Sequence, residues 1–369
     1  MNKRIYLSPP DLSGNEGLYI QQTLESNWIA PFGPQLDFLV SLLKEKTGIS
    51  YAEPVNSGTS AIHLALLALG VSEGDVVFCP SFTFAASIFP VLYQKAIPVF
   101  IDSEDQSWNM DASLLEQAIQ DAIDKKQKPK AIILVHIYGF PAQLEKIIAV
   151  ARKYNLVIIE DAAESVGSSY NGQATGTFGN IGAVSFNGNK LVTGGTGGAV
   201  LTNDAYLFQK VSYLANQAKE NTPYYEHKEI GYNYRMSNIN AAIVRAQLEQ
   251  LEQKIEKKKQ IRYWYDMYLQ GFATVKYVET GIDNAWLTCI EFADTGTDPE
   301  SIRLLLEANN IESRRVWNPM HQQPVFKGSA FYLNGVSDSI FCNGLCLPSG
   351  TKLMEEDIVH ITDIMKRSL

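Results

Sequence analysis

The chain has 369 residues, of which 46% are hydrophobic and 19% are charged, a composition typical of a globular protein without long disordered segments. Its formal net charge of −9 argues against nucleic acid or an anionic membrane surface as a partner. The longest apolar runs, at residues 61–71 and 131–137, are shorter than the roughly 20 residues of a membrane-spanning helix. We therefore expect no nucleic acid and no membrane among the partners, and a chain long enough for about two domains.

Cysteine usage and the start of the chain predict a cytoplasmic protein. The cysteines are Cys79, Cys289, Cys342 and Cys346, and they form no Cys-x-x-Cys pair. Their apolar neighbours predict buried, reduced thiols. No apolar stretch typical of a signal peptide follows the first residues. The histidines show no spacing typical of a metal site, and no metal is predicted.

Strand-like and helix-like segments alternate through the first two-thirds of the chain. Ala61–Leu69 is apolar on nearly all sides, which predicts a helix buried against a sheet and ended by Gly70. Short apolar runs predict strands covered on both faces, at Val76–Phe78, Ile97–Ile101, Ala131–Val135, Leu156–Ile159 and Ala183–Phe186. Helical patterns lie between them at Ser113–Ile123 and Gln143–Tyr154. The alternation predicts an α/β fold with a mostly parallel, helix-covered sheet.

Longer, more polar helices are predicted after about residue 205. Asn240–Tyr268 is predicted as one helix that bridges two parts of the chain, and its basic stretch Lys254–Gln260 is interpreted as a solvated face. A smaller C-terminal α/β domain is predicted from a strand over Trp286–Phe292, a helix over Pro299–Asn309 and a last helix that begins at Glu355. We place the large domain at residues 1–248 and the small domain at residues 249–369.

A polar segment, Asn56–Ser60, stands before the buried helix and has the composition of an anion-binding site. Gly58 lets the backbone approach a ligand closely, and Thr59 offers a hydroxyl and an amide at the positive end of the helix. A phosphate group would fit there. Simple capping of the helix by a serine or threonine of this segment is the structural alternative.

Two further segments, each after a predicted strand, add a carboxylate and an amine. Asp161 is expected at the carboxyl edge of the sheet, where a buried aspartate needs a cationic partner such as a protonated pyridine nitrogen. Lys190 is the only lysine between Lys153 and Lys210, and a desolvated lysine at the same edge suits imine formation. Ser185 stands five residues before Lys190 and could reach the phosphate group of the same ligand. Taken alone, Asp161 could be an ordinary loop carboxylate and Lys190 an ordinary surface lysine. Together the three segments predict a pyridoxal 5′-phosphate site.

Seven motifs along the chain occur in the order of a known family. They are Ala30–Pro34, Asn56–Ser60, Pro80–Phe84, Glu160–Glu164, Ser185–Lys190, Gly231–Ser237 and Met320–His321. These motifs resemble the DegT/DnrJ/EryC1/StrS family of pyridoxal-phosphate sugar aminotransferases. The resemblance implies a fold-type I, aspartate-aminotransferase-like fold and a homodimer whose active sites are built from both subunits.

The resemblance also implies roles for particular residues. Lys190 would bind the cofactor covalently, and Asp161 would pair with its pyridine nitrogen. The other implied cofactor contacts are Phe84 on the ring face, Gly58, Thr59 and Ser185 at the phosphate, and Asn233 reaching the phosphate from the neighbouring subunit. Without the resemblance, Phe84 would be interpreted as a core aromatic and Asn233 as a turn residue. Glu164 stands where the family commonly has Gln or His near the cofactor hydroxyl, so its carboxylate must be protonated or find its own donor.

Two segments are candidates for the sugar-nucleotide site. The segment around Trp28, Ile29 and Ala30 resembles the family's loop that faces the sugar nucleotide. A basic and aromatic cluster in an acidic protein suits a diphosphate, and it consists here of Arg314, Arg315, Trp317 and His321. The alternative is a partly exposed surface of the small domain.

The resemblance implies transfer of an amino group from L-glutamate to C4 of a nucleotide-linked 4-keto-6-deoxy sugar, with pyridoxamine 5′-phosphate as the amine-carrying form. The motifs Glu160–Ser165 and Ser185–Lys190 and the opening Leu7–Pro10 look most like members that act on UDP-4-keto-6-deoxy-N-acetylglucosamine, on the path to bacillosamine-type glycans. Enzymes that form GDP-perosamine are the alternative. Dehydratases of the family lack the lysine, so Lys190 argues against that activity. A non-catalytic nucleotide-binding protein would need a GxGxxG loop after an early strand, and no convincing one is present.

Overall fold

The computed structural model describes residues 4–12, 14–292 and 296–367. The first three residues, on which the signal-peptide prediction partly depends, lie outside the described residues. The described strands are β1 Tyr51–Val55, β2 Asp75–Pro80, β3 Ile97–Ile101, β4 Lys128–Val135, β5 Val157–Asp161, β6 Ser169–Tyr170, β7 Gln173–Ala174, β8 Ile181–Ser185, β9 Gly198–Thr202, β10 Thr274–Val275, β11 Thr288–Glu291, β12 Arg314–Arg315, β13 Ala330–Tyr332 and β14 Gly344–Leu347. The described α-helices are α1 Asn15–Glu25, α2 Pro34–Thr47, α3 Gly58–Ala68, α4 Phe89–Tyr93, α5 Ala112–Asp124, α6 Leu144–Lys153, α7 Ala205–Ala215, α8 Asn238–Leu248, α9 Leu251–Leu269, α10 Pro299–Ala308, α11 Val336–Asn343 and α12 Glu355–Lys366.

A large mixed sheet carries most of the strands. Within the described residues it has eight strands in the order β1-β9-β8-β5-β4-β2-β3-β13. The strands from β8 to β13 in this order are mutually parallel, whereas β9 runs antiparallel to both β8 and β1. The predicted mostly parallel α/β sheet is confirmed. Because β1 points the same way as β5 and β8, the carboxyl ends of these three strands meet at one edge.

The central strands are buried on both faces. Val77 and its neighbours pack into one apolar core together with Leu64 of α3. Val76, one residue earlier in β2, packs into a second core with Leu115 of α5 and Ile147 of α6. Successive residues of a strand point to opposite faces, so a continuous apolar run can fill both cores. Helices thus cover the sheet on both sides.

A smaller sheet has its own core in the C-terminal part. Its strands are in the order β10-β11-β14-β12, and α9, α10 and α12 contribute apolar side chains to the same core. The prediction of one helix over Asn240–Tyr268 is wrong, because α8 ends at Leu248 and α9 begins at Leu251. The first half packs against α1 and α2 and the second against α12. The change of packing partner redirects the chain at Glu249 and Gln250, where neither glycine nor proline marks a break. The interpretation of Lys254–Gln260 as a solvated face is wrong for Lys254 and Lys258, which are buried because their amines donate to the backbone carbonyls of Asp11 and Trp286.

The C-terminal part also completes the large sheet. Strand β13 pairs in parallel with β3, and the backbone amides of Asn334 and Gly335 donate to Oδ2 of Asp102, 3.0 and 2.9 Å away, just beyond β3. Near the start of the chain, Ile5 forms a parallel β-bridge with Ile311 of the C-terminal part. The chain after residue 249 therefore contributes to both sheets, and the division at residues 248 and 249 stays a prediction.

The described cysteines are all free thiols, but they differ in exposure. Cys79, Cys289 and Cys346 are buried, as predicted, whereas Cys342 is exposed. The prediction is wrong for Cys342 because α11 turns Ser337 and Ile340 inward and leaves Cys342 on its outer side. No helix in the described part of the chain has the length and apolar character needed to span a bilayer. The same residues form no cluster of three or more His, Cys, Asp or Glu side chains that could hold a metal ion.

We expect the variant Arg262→Met to be strongly destabilised. Arg262 of α9 forms a bidentate ion pair with Asp283, with N–O distances of 2.8 and 3.1 Å, and both side chains are almost completely buried. Removing the arginine leaves a buried carboxylate without its partner, which costs about 3–5 kcal/mol of unfolding free energy. Urea denaturation measures the loss. The double variant Arg262→Met/Asp283→Asn should recover part of it, and an equal loss in both variants would contradict the electrostatic explanation.

Candidate active site

A cavity of about 420 Å³ lies at the sheet edge where β1, β5 and β8 end. Its lining includes Ser57, Gly58, Thr59, Thr83, Phe84, Ser87, Asp161, Glu164, Ser185, Asn187, Asn189, Lys190, Arg314 and Trp317. The three polar segments singled out in the sequence therefore meet in one place. The parallel strands bring them together, because each segment follows the carboxyl end of its own strand.

One end of the cavity is the start of α3. Ser57 is the helix N-cap, and its Oγ accepts a hydrogen bond from the backbone amide of Ser60 at 3.0 Å. Gly58 and Thr59 belong to the first turn, whose amides have no partner within the helix. A Cβ atom at Gly58 would lie 3.0 Å from Cβ of Ser185, so any larger residue would crowd Ser185 at this point of the cavity. The amides, the hydroxyls and the helix dipole fit a phosphate group.

The variant Gly58→Ala should bind pyridoxal 5′-phosphate about tenfold more weakly, because the added methyl group narrows the phosphate cradle against Ser185. Titration of the cofactor by its absorbance measures the effect. Gly17→Ala in α1 is the matched control, since a Cβ atom there would have no neighbour within 4 Å. Equal affinity of both variants would contradict this role of the cradle.

Asp161 supplies a buried carboxylate at the end of β5. Its side chain is 4% exposed, Oδ2 accepts from Oγ of Ser87 at 2.6 Å, and Oδ1 accepts from the amide of Ala163 at 3.0 Å. Both donors are neutral, so neither contact brings a positive charge to the carboxylate. A protonated pyridine nitrogen in the cavity would complement it.

Lys190 and Glu164 form an ion pair beside this carboxylate. Nζ of Lys190 lies 3.1 Å from Oε1 of Glu164, and Oε2 of Glu164 accepts from the amide of Tyr138 at 2.7 Å. The pKa of Glu164 is raised, because burial outweighs the opposing effects of the Lys190 charge and the Tyr138 amide. The Glu164 carboxylate therefore contacts two donors, the amine of Lys190 and the amide of Tyr138.

Four aromatic side chains run from the lysine to the mouth of the cavity, and we call them the aromatic row. Trp286 stacks on Tyr138 with ring centroids 6.2 Å apart, Tyr138 stacks on Trp317 at 6.0 Å, and Trp317 contacts Phe84 at 5.2 Å. Phe84 is 53% exposed, so it is not a core aromatic, which was the alternative interpretation from its sequence. Trp286 and Trp317 come from the C-terminal part, and the row therefore joins both parts of the chain at the cavity.

Two residues of the predicted diphosphate cluster lie away from the cavity. Arg315 contacts the backbone carbonyls of Phe341 and Cys342, because neighbouring residues of β12 point to opposite faces and only Arg314 lines the cavity. His321 contacts Oγ of Ser81 at 2.6 Å through Nδ1 and Oδ1 of Asp338 at 3.1 Å through Nε2. Of this cluster, the structure brings Arg314 and Trp317 to the cavity.

The other predicted substrate and partner-site residues lie on the surface of this chain. Trp28, Ile29 and Ala30 are exposed, and Asn238 holds their loop through hydrogen bonds to the carbonyls of Trp28 and Ala30. Asn233 is exposed as well, and its carbonyl accepts from Nδ2 of Asn56 at 3.3 Å, next to the start of α3. Their predicted roles stay predictions.

Sequence reasoning missed Ser87, Trp286 and Tyr138. Ser87 stands in a 3-10 turn without a local signal, and it reaches Asp161 only through the tertiary fold. The sequence predicts Trp286 as the first residue of a strand, but the strand begins at Thr288. A tryptophan among apolar residues gives no indication that it will face a lysine.

An anion-binding helix start, a buried carboxylate and a lysine on one edge of a mostly parallel sheet define a pyridoxal-phosphate enzyme of the aminotransferase type. The chain belongs to the DegT/DnrJ/EryC1/StrS aminotransferase family, whose sequence model matches residues 10–366. The predicted family is thereby confirmed.

Individual relatives extend over almost the whole chain. EpsN of Bacillus subtilis (strain 168), which carries the name of a pyridoxal phosphate-dependent aminotransferase, is 44% identical over 99% of this chain and 96% of its own length. GDP-perosamine synthase of Escherichia coli O157:H7 is 38% identical over 98% of this chain and 97% of its own. The crystal structure of a DegT DnrJ EryC1 StrS aminotransferase from Brucella abortus has a TM-score of 0.91 at 30% identity and covers 97% of this chain and 96% of that one. The protein is a pyridoxal-phosphate-dependent sugar-nucleotide aminotransferase, as predicted.

Proposed function

We propose that this enzyme transfers an amino group from L-glutamate to the C4 keto group of a UDP-linked 2-acetamido-2,6-dideoxy-4-keto-hexose. The observation that carries the reaction type is the meeting of Lys190, Glu164 and Asp161 in one cavity. The choice of the UDP sugar is supported by the form of the Ser185–Lys190 motif and of the opening Leu7–Pro10. With this substrate, the enzyme would act in the cytoplasm in the synthesis of bacillosamine-type glycans.

The residues of the cavity divide the chemical tasks. Bound pyridoxal phosphate supplies an electron sink for the bonds at the reacting amine. Lys190 holds the cofactor and moves protons at its Nζ, while Asp161 keeps the pyridine nitrogen protonated. Gly58, Thr59 and Ser185 bind the phosphate group.

The sugar nucleotide meets Arg314 at the cavity wall. Arg314 now pairs with Glu312 at 2.8 Å, but its side chain is 61% exposed, so a diphosphate can compete for the guanidinium. Arg315 and His321 lie away from the cavity, and both contact α11, Arg315 through the carbonyls of Phe341 and Cys342 and His321 through the carboxylate of Asp338.

Homodimer formation would give a role to the exposed residues predicted for the substrate and partner sites. Trp28, Ile29 and Phe32 are 55%, 52% and 49% exposed, and a cluster of exposed apolar side chains marks an interaction surface. In a homodimer with shared active sites, the loop of Trp28, Ile29 and Ala30, together with Asn233, would serve the cavity of the partner subunit.

Amination of GDP-4-keto-6-deoxymannose to GDP-perosamine is the second candidate function. It is favoured by the 38% identity to a GDP-perosamine synthase over 98% of this chain. The two candidates share the reaction at C4 and differ in the nucleotide and in the substituent at C2 of the sugar.

Incubation with glutamate and a panel of UDP-, GDP- and dTDP-linked 4-keto-6-deoxy sugars tests the proposal. Mass spectrometry and NMR of the products identify the aminated carbon, and we expect the highest kcat/KM with the UDP sugar. Preference for the GDP sugar would select the second candidate. Equal turnover of all sugars would defeat the UDP assignment.

A further inference from the structure

The amine of Lys190 lies close to the ring of Trp286 as well as to Glu164, and the proposed function assigns no role to Trp286. Its Nζ lies 4.0 Å from the centroid of the Trp286 ring as well as 3.1 Å from Oε1 of Glu164. The side chain of Lys190 is only 13% exposed and that of Glu164 6%. Because water reaches this amine poorly, a charged form of it depends on such protein partners.

The Trp286 ring is fixed in place by its surroundings. The indole Nε1 donates to the carbonyl of Asn189 at 2.9 Å, and the backbone amide of Trp286 donates to Oδ1 of Asn284 at 3.0 Å. Nζ of the buried Lys258 donates to the carbonyl of Trp286 at 2.9 Å. The ring also stacks on Tyr138 and is 1% exposed. The flexible lysine side chain, and not the ring, is therefore the part that moves when this contact forms or breaks.

We propose that Glu164 and Trp286 form a holding site for the free amine of Lys190, and that Trp286 is thereby a further catalytic residue of this enzyme. The inference rests on the proposed role of Lys190. In the proposed transamination, Lys190 would be free of the cofactor during part of each catalytic cycle. At that stage Lys190 gains and returns a proton at Nζ, and the holding site keeps the resulting ammonium within reach of the cavity.

The two partners stabilise the ammonium in different ways. Glu164 contributes a negative charge, and its second oxygen is already occupied by the amide of Tyr138. The ring face of Trp286 attracts a cation through its quadrupole, an interaction that strengthens when water is excluded. A glutamine at position 164 would still accept a hydrogen bond from the amine but would bring no charge. Both partners are thus needed for full stabilisation.

Trace acetylation of Lys190 tests the holding site directly. The full-length enzyme is loaded with pyridoxamine 5′-phosphate and treated at neutral pH with a limiting amount of acetic anhydride, and mass spectrometry compares Lys190 with the exposed Lys153. The unprotonated amine is the form that reacts. We expect Trp286→Leu to acetylate Lys190 about tenfold faster than the wild type, and Trp286→Phe to stay within about twofold of it. Glu164→Gln should also react several-fold faster.

The leucine and phenylalanine variants form a matched pair. Both lose the indole N–H that donates to Asn189 and both are smaller than tryptophan, but only the phenylalanine variant retains an aromatic face. Equal acceleration in the two variants, or unchanged acetylation in a folded Trp286→Leu protein, would overturn the proposal. Urea denaturation checks that both variants are folded.

The acetylation test is independent of the substrate assignment. It uses neither amino donor nor sugar, so its result stands whichever nucleotide sugar is aminated. A positive acetylation result together with no amination of any 4-keto sugar would refute the proposed substrate and leave the holding site supported.

Discussion

Replacing Lys190 with alanine is expected to lower kcat/KM for sugar amination by about 10⁴-fold or more. In the proposed mechanism, the variant would lose both the covalent attachment of the cofactor and the group that moves protons at the reacting carbon. No other lysine is among the residues that line the described part of the cavity, so no neighbour can replace it there. Steady-state assays of the aminated product measure the loss, and the absorbance of the purified protein shows whether the cofactor is still attached.

Lys153→Ala is the matched control for this experiment. Its side chain is 62% exposed and forms a surface ion pair with Glu116, so its removal should leave amination and cofactor absorbance unchanged. If Lys190→Ala retained more than a small fraction of wild-type transamination, the proposed mechanism would be wrong.

Asp161→Asn is expected to reduce the rate of the half-reaction with glutamate by about 10²–10³-fold. Asparagine has nearly the same shape. Its amide oxygen can still accept from the amide of Ala163 while its amide nitrogen donates to the hydroxyl of Ser87, so the fold should persist. It has no negative charge, however, and cannot keep a pyridine nitrogen protonated in a site that is 4% exposed. Stopped-flow absorbance of the bound cofactor measures the rate.

The exposed Asp363 of α12 provides the control variant Asp363→Asn, which removes the same charge far from the cavity. It should behave as the wild type. A half-reaction as fast in Asp161→Asn as in this control would show that the carboxylate does not sustain the electron sink.

The parts of the fold that were predictable from sequence are those with strong local signals. Strand β3 has the predicted bounds Ile97–Ile101, because a strand buried on both faces must be apolar throughout. Strand β13 gave no such signal, since it has three residues and forms only where β3 offers an unpaired edge. The break between α8 and α9 was missed for the same reason, because it depends on what each half packs against.

The site shows the same limit at the level of single residues. Gly58, Asp161 and Lys190 follow strand ends directly, and parallel strands bring such positions together. Arg314 and Arg315 are adjacent in sequence, and which of them faces the cavity depends on the orientation of β12. The contact between Lys190 and Trp286 joins residues from distant segments, and side-chain packing alone creates it. Trp28 and Asn233 lie on the surface of one chain, so a role in a shared site belongs to the assembly.

Strand β13 also has a consequence for how the chain is made. The ribosome releases the other seven strands of the large sheet by residue 202, but the last partner of β3 ends at Tyr332. During that interval the nascent chain presents the apolar strand Ile97–Ile101 as an open edge, the kind of surface through which unfinished chains associate. Truncated products that end before β13 should therefore aggregate, and the enzyme depends on its C-terminal part for solubility during synthesis as much as for its active site.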